Sequence, residues 1–215
     1  MQQRAEIFFN SIFERYPSLV SCKDSIREAC EALISCYGKG GKVLACGNGG
    51  SASDAEHIVG ELMNKFRLRR PADAKVLGRL RSLGFDKDCR IETLLQQSLP
   101  AISLVSQVAL VTAISNDNGP DMIFAQQVYG YGKAGDVLIA LSTSGNSPNV
   151  LNAVKVARAI DMITIGFTGE KESEISRISS IAVKVPSSTT FMVQELHLPV
   201  YHHLCAVVEE EFFGK

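Results

Sequence analysis

No stretch of this sequence approaches the ~18–20 consecutive apolar residues that a membrane-spanning helix requires, so a spanning protein is not expected. Neither sign of charge is in excess. Twenty-two Lys+Arg stand against 23 Asp+Glu, a formal net charge of −1 over 215 residues. A general grip on nucleic acid or anionic lipid runs on surplus positive charge, so neither is an expected partner. The six cysteines (22, 30, 36, 46, 89 and 205) make no C-x-x-C pair and no tight cluster. They read as small buried hydrophobes, not as a disulfide framework or a cysteine-zinc site. The first 17 residues are amphipathic and interrupted by Glu6 and Glu14, unlike a secretory signal, which makes the cytoplasm the expected location. A Walker loop is also missing, since nothing fits G-x-x-x-x-G-K-[ST].

What is present is the texture of an α/β domain, 46% of it hydrophobic. Ile7, Phe8, Ile12 and Phe13, then Ile26, Ala29, Cys30, Leu33 and Ile34, recur at helical spacing. Pro17 and Ser18 separate the two helices, and Gly38, Gly40 and Gly41 end the second. Short apolar blocks follow at Lys42–Cys46, Ala101–Val105, Val137–Leu141, Met162–Phe167 and Ile181–Val185. Blocks that are apolar throughout suit strands of a parallel sheet covered on both faces by helices. Helical patterns lie at Ala52–Phe66, Pro148–Ile160, Ser173–Ile178 and Val193–Phe212. A three-layer α/β/α sandwich with an N-terminal helical extension over 1–38, all within one domain spanning 1–215, is the expectation. One segment departs from the alternation. Nine of the 22 basic residues fall between Lys65 and Arg90, opposed only by Asp73, Asp86 and Asp88. That segment is a solvated excursion with a basic helical face or a rim whose local field attracts a phosphorylated ligand.

Two loops carry the chemistry. After the first strand comes Gly47-Asn48-Gly49-Gly50-Ser51-Ala52-Ser53-Asp54, where glycines let the backbone approach an anion and the following helix start offers N–H groups. Ser51 and Asp54 form an S-x-x-D capping pattern that predicts a helix start near Ala52. The stretch also fits a loose dinucleotide fingerprint, but the chain next enters the basic segment and not a second strand ending in an acid. After the third strand comes Ser142-Thr143-Ser144-Gly145-Asn146-Ser147-Pro148, with Pro148 suited to the first helical position and Ser147 to the N-cap. Four hydroxyls before a helix N-terminus make a site for a phosphate monoester.

Two helices add ionisable groups. His57 and Glu61 are four residues apart, hence on one helix face about 6 Å apart along the axis. Such a pair binds a divalent metal, acts as an acid/base couple, or is a plain surface hydrogen bond. Three of the four histidines (His197, His202, His203) lie within seven residues, near Gln194 and Glu195. Gln194 and His202 are separated by about 12 Å of helix rise, and Pro199 between them removes one helical N–H and predicts a kink.

Taken in order, Cys46–Ser51 with Asp54, His57 and Glu61, then Ser115-Asn116-Asp117, Leu141–Ser147 and Gln194-Glu195-x-His197…His202 resemble the sugar-isomerase (SIS) domain family. The resemblance covers the chain except roughly residues 72–99, a basic insertion placed after Arg70-Pro71. It implies a five-stranded parallel sheet and a homotetramer with active sites at subunit interfaces. It also implies an aldose–ketose isomerase of a sugar-phosphate substrate, in the branch of the family that converts sedoheptulose 7-phosphate to D-glycero-D-manno-heptose 7-phosphate. In that resemblance Ser142, Thr143, Ser144 and Ser147 hold phosphate, while Asn48, Gly49, Ser51, Asp117 and Gln194 hold the sugar chain. Glu61 is implied as catalytic base and His202 as catalytic acid, and His57, Glu61, Gln194 and His202 as ligands of a zinc ion. Non-enzymatic regulators of the family lack the carboxylate and histidine that stand here as Glu61 and His202. The chain departs from the branch at Phe191, in place of an aspartate, and at Pro199.

Overall fold

The computed structural model describes residues 1–85 and 89–214. Asp86, Lys87 and Asp88, counted above in the basic segment, lie outside the described residues, as do Lys215 and the side chain of Cys89. Five parallel strands form the sheet: β1 (Val43–Cys46), β2 (Ala101–Ser103), β3 (Val137–Leu141), β4 (Ile163–Thr168) and β5 (Ile181–Lys184), in spatial order β2-β1-β3-β4-β5. Every position of β1 and β3 is buried. The pleat explains how both faces take apolar groups: Val43 and Ala45 enter one core, Leu44 and Cys46 the other, and β3 divides likewise between Val137/Ile139/Leu141 and Leu138/Ala140.

Among the described residues there are ten helices, eight of them in the two layers that flank the sheet. One layer holds α1 (Gln3–Arg15), α2 (Lys23–Gly38), α3 (Gly50–Met63) and α10 (Thr190–Phe213), with a 3-10 turn at Pro17–Cys22 joining the first two. The other holds α7 (Ile123–Tyr131), α8 (Pro148–Ala159) and α9 (Glu174–Ile178), with α6 (Val108–Asp117) beside α7. The basic segment carries two short helices, α4 (Ala74–Ser82) and α5 (Cys89–Leu94), closed at its root by a bridge between Pro71 and Gln96. α10 remains one helix across Pro199. Of the six cysteines, Cys22, Cys30, Cys36, Cys46 and Cys205 are free and buried, as read from the sequence. No helix among the described residues is long and apolar enough to cross a membrane.

The basic segment is not solvated throughout. Arg70 has no exposed surface and pairs with Glu209, which is equally buried, at 2.8 Å. The Glu209 carboxylate also accepts the backbone N–H groups of Phe66, Arg67 and Leu68 at 2.8–3.1 Å. On its other side the guanidinium donates to the carbonyls of Leu62 (2.8 Å) and Glu61 (2.9 Å), two of the acceptors that a helix C-terminus leaves without partners. One buried cation therefore ties the end of α3 to α10.

Two other buried groups give the fold a pH dependence. Burial pushes His197 and His203 down to about 4, while Nε2 of His203 sits 2.9 Å from the Phe9 carbonyl. Unfolded histidine titrates near ~6.5, so below that pH the unfolded chain takes up two protons that the native one refuses. Stability is then full at pH 7 and falls as the pH drops towards 4, with each histidine removing about 2 kcal/mol by pH 5. Urea midpoints measured from pH 7 to pH 5 should show this fall, and His197→Leu should flatten it by about half. An equal slope in the variant would contradict the assignment.

Candidate active site

The strand order reverses direction of winding between β1 and β3, and in open α/β sheets a ligand crevice lies outside the carboxyl ends of the strands at such a point. Both candidate loops are there. The β1 loop folds tightly because Gly49 takes φ +57°, a left-handed conformation that costs side-chain-bearing residues energy. The S-x-x-D pattern does not cap the helix. α3 begins at Gly50 with Gly49 as N-cap and no side-chain cap bond, while Ser51 is buried in the first turn, its N–H bonded to the Asn48 carbonyl at 3.0 Å. Asp54 turns away to bond Tyr201 instead.

The β3 loop matches expectation more closely. Ser147 is the N-cap of α8 and Pro148 its first residue. The Ser142 and Ser147 hydroxyls are 3.0 Å apart, Gly145 turns at φ +67°, and its N–H bonds the Ser142 carbonyl at 2.9 Å. Ser144 is exposed and Thr143 half-buried. The loop is backed from behind: Ile175 N–H donates to the Gly145 carbonyl, and Glu174 N–H to Asn146 Oδ1, both at 3.0 Å. No basic side chain stands in residues 142–149, so a phosphate there would be met by hydroxyls and the α8 N-terminus.

Asn48 and Asn149 join the two loops by a reciprocal amide pair, at 2.8 and 2.9 Å. Asn149 was not singled out in the sequence, where it is one more polar residue after a proline. Asp117 ends α6 next door, exposed, with Oδ1 taken by Asn116 Nδ2 at 2.8 Å. The turn after it is tied to α8 through Asn152, which donates to the Asp121 carbonyl at 3.1 Å.

The ionisable cluster lies between α3 and α10. His57 Nε2 is 3.0 Å from Glu61 Oε1 and 3.3 Å from His202 Nε2, so the last helix delivers His202 to the pair set by the i, i+4 spacing. The ligand atoms of the three residues lie within 4.8 Å of one another. Two imidazole nitrogens and a carboxylate oxygen facing one another are a donor set suited to a divalent transition metal, so the residues fit zinc. Gln194 lies further along the same seam, its amide packed on Gly50 so closely that a Cβ there would meet Nε2 at 2.5 Å. That seat is seven residues, about 10 Å of helix rise, before His57. His202 is shifted below the ordinary histidine range by burial and then by the neighbouring His57, which favours its neutral form. On its far side His202 borders a cavity of about 290 Å³ that Phe8, Arg15, Phe66, Arg67 and Leu198 help to line.

A carboxylate and a neutral imidazole between α3 and α10, and a hydroxyl-lined helix start at the β1/β3 crevice, are the groups that proton transfer on a phosphorylated substrate requires. The SIS domain matches residues 8–97 and 90–169, most of the chain. This protein belongs to the SIS domain family. A phosphoheptose isomerase of Burkholderia pseudomallei is 39% identical over 191 residues, covering 89% of this chain and 84% of the relative. One from Shewanella baltica is 34% identical over 216 residues, 99% of this chain and 96% of the relative. The solved phosphoheptose isomerase from Francisella tularensis superposes with a TM-score of 0.75 at 31% identity, covering 98% of this chain and all of that one. The five-stranded parallel sheet expected of an SIS domain is the one observed.

Two features of this SIS site were not legible from the chain alone. Tyr201, which no motif marks, reaches both Asp54 and His57 at 3.1 Å. Arg70, grouped in the sequence with a basic surface run, instead clamps the last turn of α3 on which Glu61 stands.

Proposed function

We propose that this sugar-phosphate isomerase interconverts sedoheptulose 7-phosphate and D-glycero-D-manno-heptose 7-phosphate, in heptose precursor synthesis for a bacterial surface glycan. The observation that carries the reading is the meeting of Glu61 and His202 across His57, in a chain that also holds a hydroxyl-lined helix start suited to a phosphate monoester. Relatives of both kinds, curated and solved, bear the name phosphoheptose isomerase, which supports the substrate.

The reaction moves one hydrogen between C1 and C2. Oε1 of Glu61 faces His57, which leaves Oε2 to take the proton from C1 of the ketose. As the C1–H electrons form the C1–C2 double bond, the carbonyl oxygen on C2 gains a proton from the neutral His202 imidazole, giving an enediol. Return of the Glu61 proton to C2, with the O1 proton passing back to His202, gives the aldose with no net change in protons. Zinc held by His57, Glu61 and His202 would polarise the carbonyl oxygen as a Lewis acid in place of that imidazole N–H, while Gln194, expected from the resemblance as a fourth ligand, is seated on Gly50 away from the three. Ser142, Thr143, Ser144 and Ser147 hold the phosphate, and Asn48, Gly49, Ser51, Asp117 and Gln194 the carbon chain. Phosphate held at one end fixes the reacting carbons at the other, which lowers the barrier through orientation.

Residues 1–215 act as one SIS domain in the cytoplasm, and a homotetramer completes the cleft. Exposed apolar side chains on α6 and α10, among them Val108 (72% exposed) and Phe191 (61%), support burial against other copies.

An NMR assay following sugar phosphates of five, six and seven carbons tests the reading. Turnover should be greatest with sedoheptulose 7-phosphate, and a preference for a shorter sugar would overturn the heptose assignment. Ser144→Ala should raise KM about 10-fold with little effect on kcat, the value of one hydrogen bond to a charged group. An unchanged KM would take the phosphate away from the β3 loop.

A further inference from the structure

Tyr201 is a tyrosine with 1% of its surface exposed, whose hydroxyl sits between two partners. Its O–H donates to Asp54 Oδ1 at 3.1 Å, and its oxygen lies 3.1 Å from Nδ1 of His57. A phenol has one hydrogen to give, and an ionised carboxylate can only accept. Once the hydrogen goes to Asp54, the contact to His57 is a hydrogen bond only if the ring hydrogen is on Nδ1. In the neutral ring the opposite nitrogen, Nε2, then carries no hydrogen, and only a shared proton or a bound cation reconciles its lone pair with the carboxylate it faces. Nε2 points at Glu61 Oε1 (3.0 Å) and His202 Nε2 (3.3 Å).

We propose that Tyr201, oriented by Asp54, is a positioning residue that holds His57 in its Nδ1–H form and so aims the Nε2 lone pair at the point where His57, Glu61 and His202 converge. This rests on the reading of that cluster as a zinc-binding part of the isomerase site. Metal-bound histidines commonly donate their second ring N–H to an oriented acceptor, which fixes the tautomer and raises the basicity of the ligating nitrogen. Here the acceptor is a phenol backed by a carboxylate. Asp54 adds an independent observation: its second oxygen, Oδ2, is buried with no hydrogen-bond partner among the described residues. An under-bonded buried carboxylate costs stability, and packing alone would be served by an apolar side chain. A carboxylate is required where the phenol hydrogen must be drawn one way. An asparagine could turn its NH₂ towards the phenol and release the constraint.

The test uses full-length protein stripped of metal and titrated with Zn²⁺ against a chromogenic chelator. Tyr201→Phe keeps the ring and loses the hydroxyl, and should weaken zinc binding about 10- to 100-fold. Asp54→Asn, whose carbonyl can still accept the phenol hydrogen, should lose less. Imidazole ¹⁵N spectra of the metal-free protein supply a signature that a merely structural role would not move: Nδ1 of His57 should carry a hydrogen in the wild type and lose it in Tyr201→Phe, where only Nε2, beside Glu61, keeps a partner. Folded Tyr201→Phe with wild-type zinc affinity, or with His57 still protonated on Nδ1, would overturn the assignment. If Tyr201→Phe fails to fold, Asp54→Ala, which frees the phenol hydrogen to point at His57 Nδ1, with unchanged affinity and unchanged tautomer would overturn it equally. A wild type that binds no zinc yet turns over the heptose phosphate would sink the inference and leave the isomerase standing. Zinc binding without turnover would do the reverse.

Discussion

Glu61→Gln is expected to lower kcat about a hundred- to ten-thousand-fold while the variant still binds the sugar phosphate. That range is what a positioned general base contributes to proton transfer. The substitution is nearly isosteric and keeps a hydrogen-bonding group beside His57, but the amide cannot take a proton from carbon. Binding should survive because the proposed phosphate site is the β3 loop and the start of α8, away from α3 and α10, which carry Glu61 and His202. KM and kcat therefore separate: a loss confined to kcat marks Glu61 as the base, whereas a rise in KM at constant kcat would mark it as a binding group only. Hydrogen exchange at C1, followed by NMR in D₂O, gives the sharper readout. Exchange should disappear with turnover, and persistence of exchange in the variant would put the base elsewhere.

The second large effect concerns stability. Arg70→Met should cost about 3–5 kcal/mol, because it strands the Glu209 carboxylate without its cation in a place no water reaches. It also removes the guanidinium donor from the carbonyls of Glu61 and Leu62, of which Leu62 keeps the Leu99 N–H. For a chain of this size that loss corresponds to a fall in thermal midpoint of roughly 10 °C. The double variant Arg70→Met/Glu209→Gln should be more stable than the sum of the two single changes predicts, since no unpaired charge is left behind. Calorimetry on the three variants checks this, and strict additivity would show that the pair does not interact. Activity should fall further than the unfolded fraction explains, because the backbone of Glu61 itself is one of the groups released.

How much of this could be read from the chain varies by element. Strands were legible because each is a short apolar block, and the expected Val137–Leu141 coincides with the observed strand while the others differ at their ends by a residue or two. α6 and α7 did not stand out, since Val108-Ala109-Leu110-Val111 and Ile123-Phe124-Ala125 set apolar residues side by side with no polar stripe to mark the period. The capping pattern at Ser51 and Asp54 misled for a local reason: the turn needs a positive φ one residue before the helix, so glycine and not serine became the N-cap. His57 with Glu61 was legible because an i, i+4 spacing fixes a shared face. The approach of His202 and of Tyr201 was not, because it depends on how α10 lies against α3, a distance of more than 140 residues along the chain. Arg70 shows the same limit in reverse. Charge counting places a cation in a run of cations at the surface, yet only its partner Glu209, far along the chain, decides that it is buried.

The amide pair between Asn48 and Asn149 carries no formal charge, although it fastens the two halves of the cleft to each other. A latch of ions would loosen with added salt, through screening, and would open at the pH where one partner neutralised. Amides do neither between acid and alkaline extremes. The width of the cleft should thus be blind to ionic strength and to acidity across the range in which histidines titrate, and a pH–rate profile of this enzyme reports on the protons being moved, with the frame that holds the substrate left constant.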